Sequence, residues 1–232
     1  NRVDTEKMLY ILSKDFLLTS DIEKAQIVII NTCAFLEASR KEAIGEILDT
    51  SLRKGNGVLE KIIVTGCLPQ KFIDDIFNEL IEVDAFLGVS DYDKIVDVIN
   101  ETYKDKRINA VGIPKGECEN KRILTTSNYA YLKIADGCSN RCTYCLIPKI
   151  RGAFRSVPME DLIEEASSLG KVNELILVAQ DCTKYGEDLV PKTNLVELIR
   201  KLSALNNIEG IRLLYCFPES VSDELIHELS VH

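Results

Sequence analysis

The chain has 232 residues, 46% of them hydrophobic and 28% charged, with eight Cys, six Pro and no Trp. This composition excludes a disordered, collagen-like or low-complexity polypeptide, and the length suffices for one large or two modest domains with a buried core. A formal charge of −9 argues against holding nucleic acid by phosphate neutralisation alone, and eight cysteines are too few for a disulfide scaffold yet more than core filling requires.

The chain opens at Asn1 without a charged-then-apolar leader, and no apolar run approaches the ~18 residues of a membrane span. The expectation is a cytoplasmic protein, away from membranes, with reduced thiols available as ligands or nucleophiles. Apolar periodicity alternates between short β-like runs and helical stretches, the pattern of βα repeats around a parallel sheet. AQIVIINTC, Ala25 to Cys33, reads as a strand, and Phe35 to Leu48 as a helix of good formers. KIIVTGC, Lys61 to Cys67, is a second strand, nearly all apolar as a strand covered on both faces is. A helix over Ile73 to Leu80, a short strand over Ala85 to Ser90 and a helix over Tyr92 to Tyr103 follow. GNG at residues 55–57 reads as a turn. Gly, Pro and polar residues then interrupt the pattern, and a linker is placed at 108–127.

The second half repeats the theme. Strand YAYLKIADG, Tyr129 to Gly137, leads into an irregular Cys-rich loop and a helix from Pro158 to Leu169. Strand ELILVAQD, Glu174 to Asp181, a helix from Leu195 to Leu205, strand GIRLLYCF, Gly210 to Phe217, and a helix from Ser222 to Ser230 complete three βα units. The fold class expected is α/β: a Rossmann-like parallel sheet over residues 1–107, then over 128–232 the first three units of a partial TIM-like barrel. Three units close no barrel, so the fold is expected to continue past this chain.

The strongest chemical signal is GCSNRCTYC, which spaces Cys138, Cys142 and Cys145 as CxxxCxxC directly after a predicted strand. Three neighbouring thiolates are soft anionic ligands suited to an iron–sulfur cluster, and three ligands on a four-iron cube leave one iron open. A tetrahedral zinc site needs a fourth ligand, and the only histidines, His227 and His232, lie far along the chain. A non-catalytic metal-binding scaffold is the bland alternative. Cys33 and Cys67 each end an apolar strand. In a parallel sheet such ends open on one edge, so the pair reads either as ligands of a second metal site or as buried strand cysteines.

Gln180 and Asp181, at the end of a barrel strand, are candidates to contact a cofactor or substrate, with ordinary strand-end capping as the alternative. Lys149, Arg151 and Arg155 form a basic run suited to a carboxylate, or else a solvated loop face. Cys118, Cys182 and Cys216 read as incidental thiols, Cys182 being nearest to the site, and His227 as a surface residue.

The CxxxCxxC loop resembles that of the radical S-adenosylmethionine superfamily. The resemblance implies a [4Fe-4S] cluster on Cys138, Cys142 and Cys145, with S-adenosylmethionine chelated at the open iron and Tyr144 beside its adenine. From their positions, Gln180, Asp181, Arg151 and Arg155 are expected among the residues that bind this cofactor. Over its whole length the chain resembles the methylthiotransferases, through NTCAFLEASRKEAI around Cys33, VTGCLPQ around Cys67 and the opening NRVDTE, which fits the tail of a GCxxNxxDSE-like segment. That implies a second [4Fe-4S] cluster on Cys33, Cys67 and a cysteine three residues before Asn1. CLIPKIRGAFRSVPMEDLIEEA, ELILVAQDCTKYGEDL and IRLLYCFPESVSDELI resemble the RimO branch, although Ala179 and Cys182 depart from its GQDTTxYG pattern. This branch methylthiolates the β-carbon of an aspartate in ribosomal protein S twelve, with flavodoxin or ferredoxin as reductant; a MiaB-like tRNA adenosine branch is the alternative. A monomer is expected, and an acidic surface suits a basic ribosomal partner.

Overall fold

A computed structural model describes residues 2–55, 57–104, 106–116, 119–126 and 128–231. Asn1, Cys118 and His232, which entered the sequence reading, lie outside these. The chain forms two compact units, residues 3–118 and 119–232.

The first unit opens with a helix that the apolar pattern did not mark, α1 (Arg2–Leu12). Met8 and Leu12 share its inward face, but Asp4, Glu6 and Lys7 are buried as well, so its hydropathy reads as that of a polar segment. After it come β1 (Ile27–Thr32), α2 (Glu37–Ser51), β2 (Lys61–Gly66), α3 (Cys67–Glu79), β3 (Ala85–Leu87), α4 (Ile95–Thr102) and β4 (Ile108–Ala110). The four strands pair in parallel, in the order β1-β2-β3-β4.

Ile63, Ala85 and Leu87 pack on one side of this sheet with Met8 and Leu12 of α1 and Ile95, Val98 and Ile99 of α4. Phe86 points to the other side, where its ring meets Phe77 of α3 at 5.9 Å. Burial on both faces explains why β3 and the Ile62–Val64 run of β2 are continuously apolar. Two sequence expectations shift. Residues 108–110, placed in a linker, pair with Ala85–Leu87 as β4; three residues are too few for alternation to register. Helix α3 starts at Cys67, well before Ile73, because its backbone leaves helical geometry at Phe72 (φ −123°, ψ 21°) and only the part beyond reads as regular.

The second unit contains β5 (Tyr129–Lys133), β6 (Ala135–Asp136), α5 (Ile147–Ile150), β7 (Arg155–Ser156), α6 (Met159–Ser168), β8 (Glu174–Val178), α7 (Leu195–Ser203), β9 (Ile211–Leu213) and α8 (Asp223–Val231). Its sheet is parallel, in the order β5-β8-β9, as three consecutive βα units require. The core joins Leu132, Leu175 and Leu177 of the sheet to Leu162 and Ala166 of α6 and Leu198, Ile199 and Leu202 of α7. Each fully buried Leu or Ile contributes about 1.5–3 kcal/mol. The strand expected over 129–137 is split after Lys133, and its end, β6, turns to pair antiparallel with β7. Among the described residues no helix is long and apolar enough to cross a membrane.

The segment before β5 is anchored rather than loose. The Arg122 guanidinium is buried, with Nε 3.1 Å from the Glu165 carboxylate of α6, itself 2% exposed. Removing one member of a buried pair strands the other in low dielectric. Glu165→Ala is therefore expected to lower stability by about 3 kcal/mol, read as a reduced urea midpoint; an unchanged midpoint would show the pair to be dispensable.

Candidate functional site

The Cys-rich loop leaves and rejoins the second unit through a narrow neck. Ala135 and Asp136 of β6 pair with Ser156 and Arg155 of β7, and the Cys138 N–H donates to the Gly152 carbonyl at 3.1 Å. Gly137 sits at the crossing with φ +77°, where a Cβ would lie 2.2 Å from the Ala153 carbonyl oxygen. Only glycine fits that position. From the far side the Tyr185 hydroxyl donates to the Val157 carbonyl at 3.0 Å, and the Gly186 N–H donates to Ser156 Oγ at 2.9 Å. The segment after β8 thus braces the neck.

Within the loop Cys142 is exposed and Cys138 and Cys145 are half-buried, all as free thiols. The Asn140 N–H points at Cys138 Sγ (3.5 Å), and the Cys145 N–H closes a turn on the Cys142 carbonyl (3.0 Å). Arg141, between the first two cysteines, adopts φ +52°. Asn140, absent from the sequence expectations, donates from Nδ2 to Asp181 (3.4 Å) and accepts from Lys184 Nζ, tying the loop to the turn after β8. Among the described residues no three Cys, His, Asp or Glu side chains already converge as a ligand set. The donors are nonetheless of the right kind for a soft, electron-rich cluster: three reduced thiols on one accessible loop, with a backbone N–H directed at one sulfur.

The other expected site residues divide. Tyr144 is 82% exposed. Gln180 and Asp181 lie beyond β8, which ends at Val178. Gln180 Oε1 is buried with no hydrogen-bond partner among the described residues. Asp181, by contrast, is buried and caps the 3-10 turn Cys182–Lys184, accepting from the N–H (3.2 Å) and hydroxyl (2.5 Å) of Thr183. The basic run is engaged within the chain. Arg151 is buried and paired at 3.0 Å with Asp136, which Lys133 also faces at 3.7 Å. Arg155 donates to the carbonyls of Ala153 and Arg151. These guanidiniums hold the neck, and Lys149 is the exposed member of the three. His227 is exposed on α8, as expected.

In the first unit Cys33 follows Thr32 and Cys67 follows Gly66, and Thr32 and Gly66 are directly paired across β1 and β2. The register therefore brings the two cysteines to the same edge, Cys33 exposed and Cys67 buried at the start of α3.

Residues 1–88 match the Uncharacterized protein family UPF0004, and residues 132–230 match the Radical SAM superfamily. The whole chain is similar to proteins named ribosomal protein uS12 methylthiotransferase RimO: 50% identical over 243 residues to that of Acetivibrio thermocellus, 47% over 235 to that of Lachnoclostridium phytofermentans and 44% over 247 to that of Clostridium botulinum. The chain carries a UPF0004 segment followed by a segment of the Radical SAM superfamily. It spans about half the length of these relatives, 53% in each of the three, and 99–100% of its own residues are covered. The CxxxCxxC loop thus lies in the segment that matches the Radical SAM superfamily, and Cys33 and Cys67 lie in the segment that matches UPF0004.

Cys182 is fully buried, its thiol 2.9 Å from the Leu214 carbonyl and 3.9 Å from that of Leu177. Burial, then the neighbouring Cys216 and Asp181, push this thiol up from 9.0 to about 12. Burial and Asp181 also raise Cys216. Both stay protonated near neutrality, which suits packing and not nucleophilic or ligand chemistry. At pH 8 Cys182 is expected to resist alkylation while Cys142 reacts. A folded value above the unfolded one stabilises the protein below about pH 9 and is lost as pH rises towards 12. Cys182→Ala should remove that part of the alkaline loss of stability; equal alkylation of Cys182 and Cys142 at pH 8 would contradict the assignment.

Proposed function

We propose that this protein is a methylthiotransferase that modifies the β-carbon of an aspartate in ribosomal protein uS12. The CxxxCxxC loop at the C-terminal end of the first strand of a parallel βα sheet, in a chain 44–50% identical to proteins named for that activity, carries the reading. Replacing an unactivated C–H bond by C–S–CH₃ is beyond acid–base chemistry of side chains. A [4Fe-4S] cluster together with S-adenosylmethionine, when bound, supplies the hydrogen-abstracting radical chemistry required. Cys138, Cys142 and Cys145 hold that cluster through three thiolates. Cys33 and Cys67 provide two ligands for a second, sulfur-delivering cluster.

The remaining residues bind and orient. Gln180 Oε1, a desolvated acceptor without a partner, suits an N–H or O–H donor of the cofactor, since a buried acceptor left unmade costs about 1–3 kcal/mol. The exposed Tyr144 ring offers a stacking face for adenine. Asp181 and Asn140 set the loop against the turn after β8, and Arg151 and Arg155 keep the neck closed. An acidic protein attracts a basic ribosomal partner. A flavodoxin or ferredoxin serves as reductant, and the protein acts as a cytoplasmic monomer.

Incubated anaerobically with iron, sulfide, reductant, S-adenosylmethionine and uS12, the protein is expected to release 5′-deoxyadenosine and add one methylthio group to one aspartate, read by mass spectrometry. Methylthiolation of tRNA adenosine in its place, or bound zinc without iron and without cofactor cleavage, would overturn the reading. Gln180→Ala is expected to weaken S-adenosylmethionine binding roughly fivefold to tenfold, the worth of one hydrogen bond, with iron content unchanged. An unaltered dissociation constant in equilibrium dialysis would remove Gln180 from the cofactor site.

A further inference from the structure

Helix α3 begins with Cys67, and its N-cap residue is Gly66, which has no side chain to cap with and takes φ +98°. A helix start leaves backbone N–H groups that need acceptors. Here the acceptor comes from the neighbouring strand. The Leu68 N–H donates to Thr32 Oγ1 at 3.3 Å, and the same hydroxyl donates to the Thr65 carbonyl at 2.7 Å. Thr32 is 2% exposed, is paired with Gly66 across the two strands, and immediately precedes Cys33. One hydroxyl therefore fastens the residue before Cys33 to residues on both sides of Cys67.

The approach is close enough that any other residue at 66 is excluded: a Cβ there would lie 2.4 Å from the Thr32 carbonyl oxygen and 2.6 Å from Asn31 Oδ1. Asn31 is in turn held by α1, its Nδ2 donating to Thr5 Oγ1 at 2.9 Å. Threonine suits the task because its β-branch restricts χ1 while its hydroxyl can both donate and accept. Valine keeps the branch without the hydroxyl, and serine keeps the hydroxyl without the branch.

We propose that Thr32 is the positioning residue for Cys33 and Cys67, capping α3 from across the strands so that the two thiols are held within bridging distance of one metal group. The shared metal group rests on the function proposed above; the positioning does not, and is tested on the metal-free protein. The probe is dibromobimane, a short reagent that joins two thiols, with the Cys33–Cys67 linked peptide measured by mass spectrometry. Melting temperatures of all variants are recorded alongside.

The wild type and Thr32→Ser are expected to link rapidly, and Thr32→Val to link roughly fivefold more slowly, the effect of losing one to two hydrogen bonds. Equal linking by Thr32→Val and wild type overturns the proposal. If Thr32→Val does not fold, the wild type decides: a linked peptide supports the positioning, whereas two singly modified peptides refute it. Iron is then measured after anaerobic reconstitution of each full-length variant. A linked Cys33–Cys67 pair together with iron that Cys33→Ala leaves unchanged would refute the metal reading while the positioning stands.

Discussion

Two of the three cysteines that follow strands, Cys67 and Cys138, are presented by a backbone turn that depends on a glycine at positive φ. Gly66 precedes Cys67 and Gly137 precedes Cys138, with φ of +98° and +77°. In each case a Cβ would strike a carbonyl oxygen of an adjoining segment, Thr32 at 2.4 Å or Ala153 at 2.2 Å. The missing side chain lets two backbone segments close to within contact, and that closeness directs the thiol-bearing chain away from the sheet. Parallel pairing supplies the rest, since strands in register end together and their loops emerge on one edge.

Polar groups in both units serve that geometry more than they serve solvent. The Asp136–Arg151 pair is buried at the base of the cysteine loop, Asp181 caps the turn that braces it, and Thr32 fastens the start of α3. Such groups are stabilising only while every partner is present, because each is desolvated. Charge close to a site can thus have a structural role, and Arg151 and Arg155 illustrate it: adjacent to the cysteines in sequence, they point into the neck.

Much of this was legible in the sequence. The parallel α/β architecture follows from continuous apolar strands such as IIV and AFL, and the CxxxCxxC loop sits where the pattern breaks after β5. What periodicity does not encode stayed hidden. Helix α1 turns Asp4, Glu6 and Lys7 inward, so its buried face does not look apolar. Strand β4 is only three residues long. The cap on α3 is contributed from across the sheet by Thr32, where a local reading looks for it at Gly66. Asn140 lies between two candidate ligands, yet its bonds reach Asp181 and Lys184 some forty positions away, a separation no short motif reports.

The antiparallel β6–β7 ladder makes the cysteine loop a cassette. Residues 137–154 are closed by their own two-stranded clasp, separate from the pairing of β5 with β8. The spacing between the cysteines is set inside that clasp, where Asn140 and Arg151 fasten the loop to Asp181 and Asp136. The first unit is built differently: Cys33 and Cys67 directly follow paired strand ends, so their spacing is tied to the register of the sheet itself.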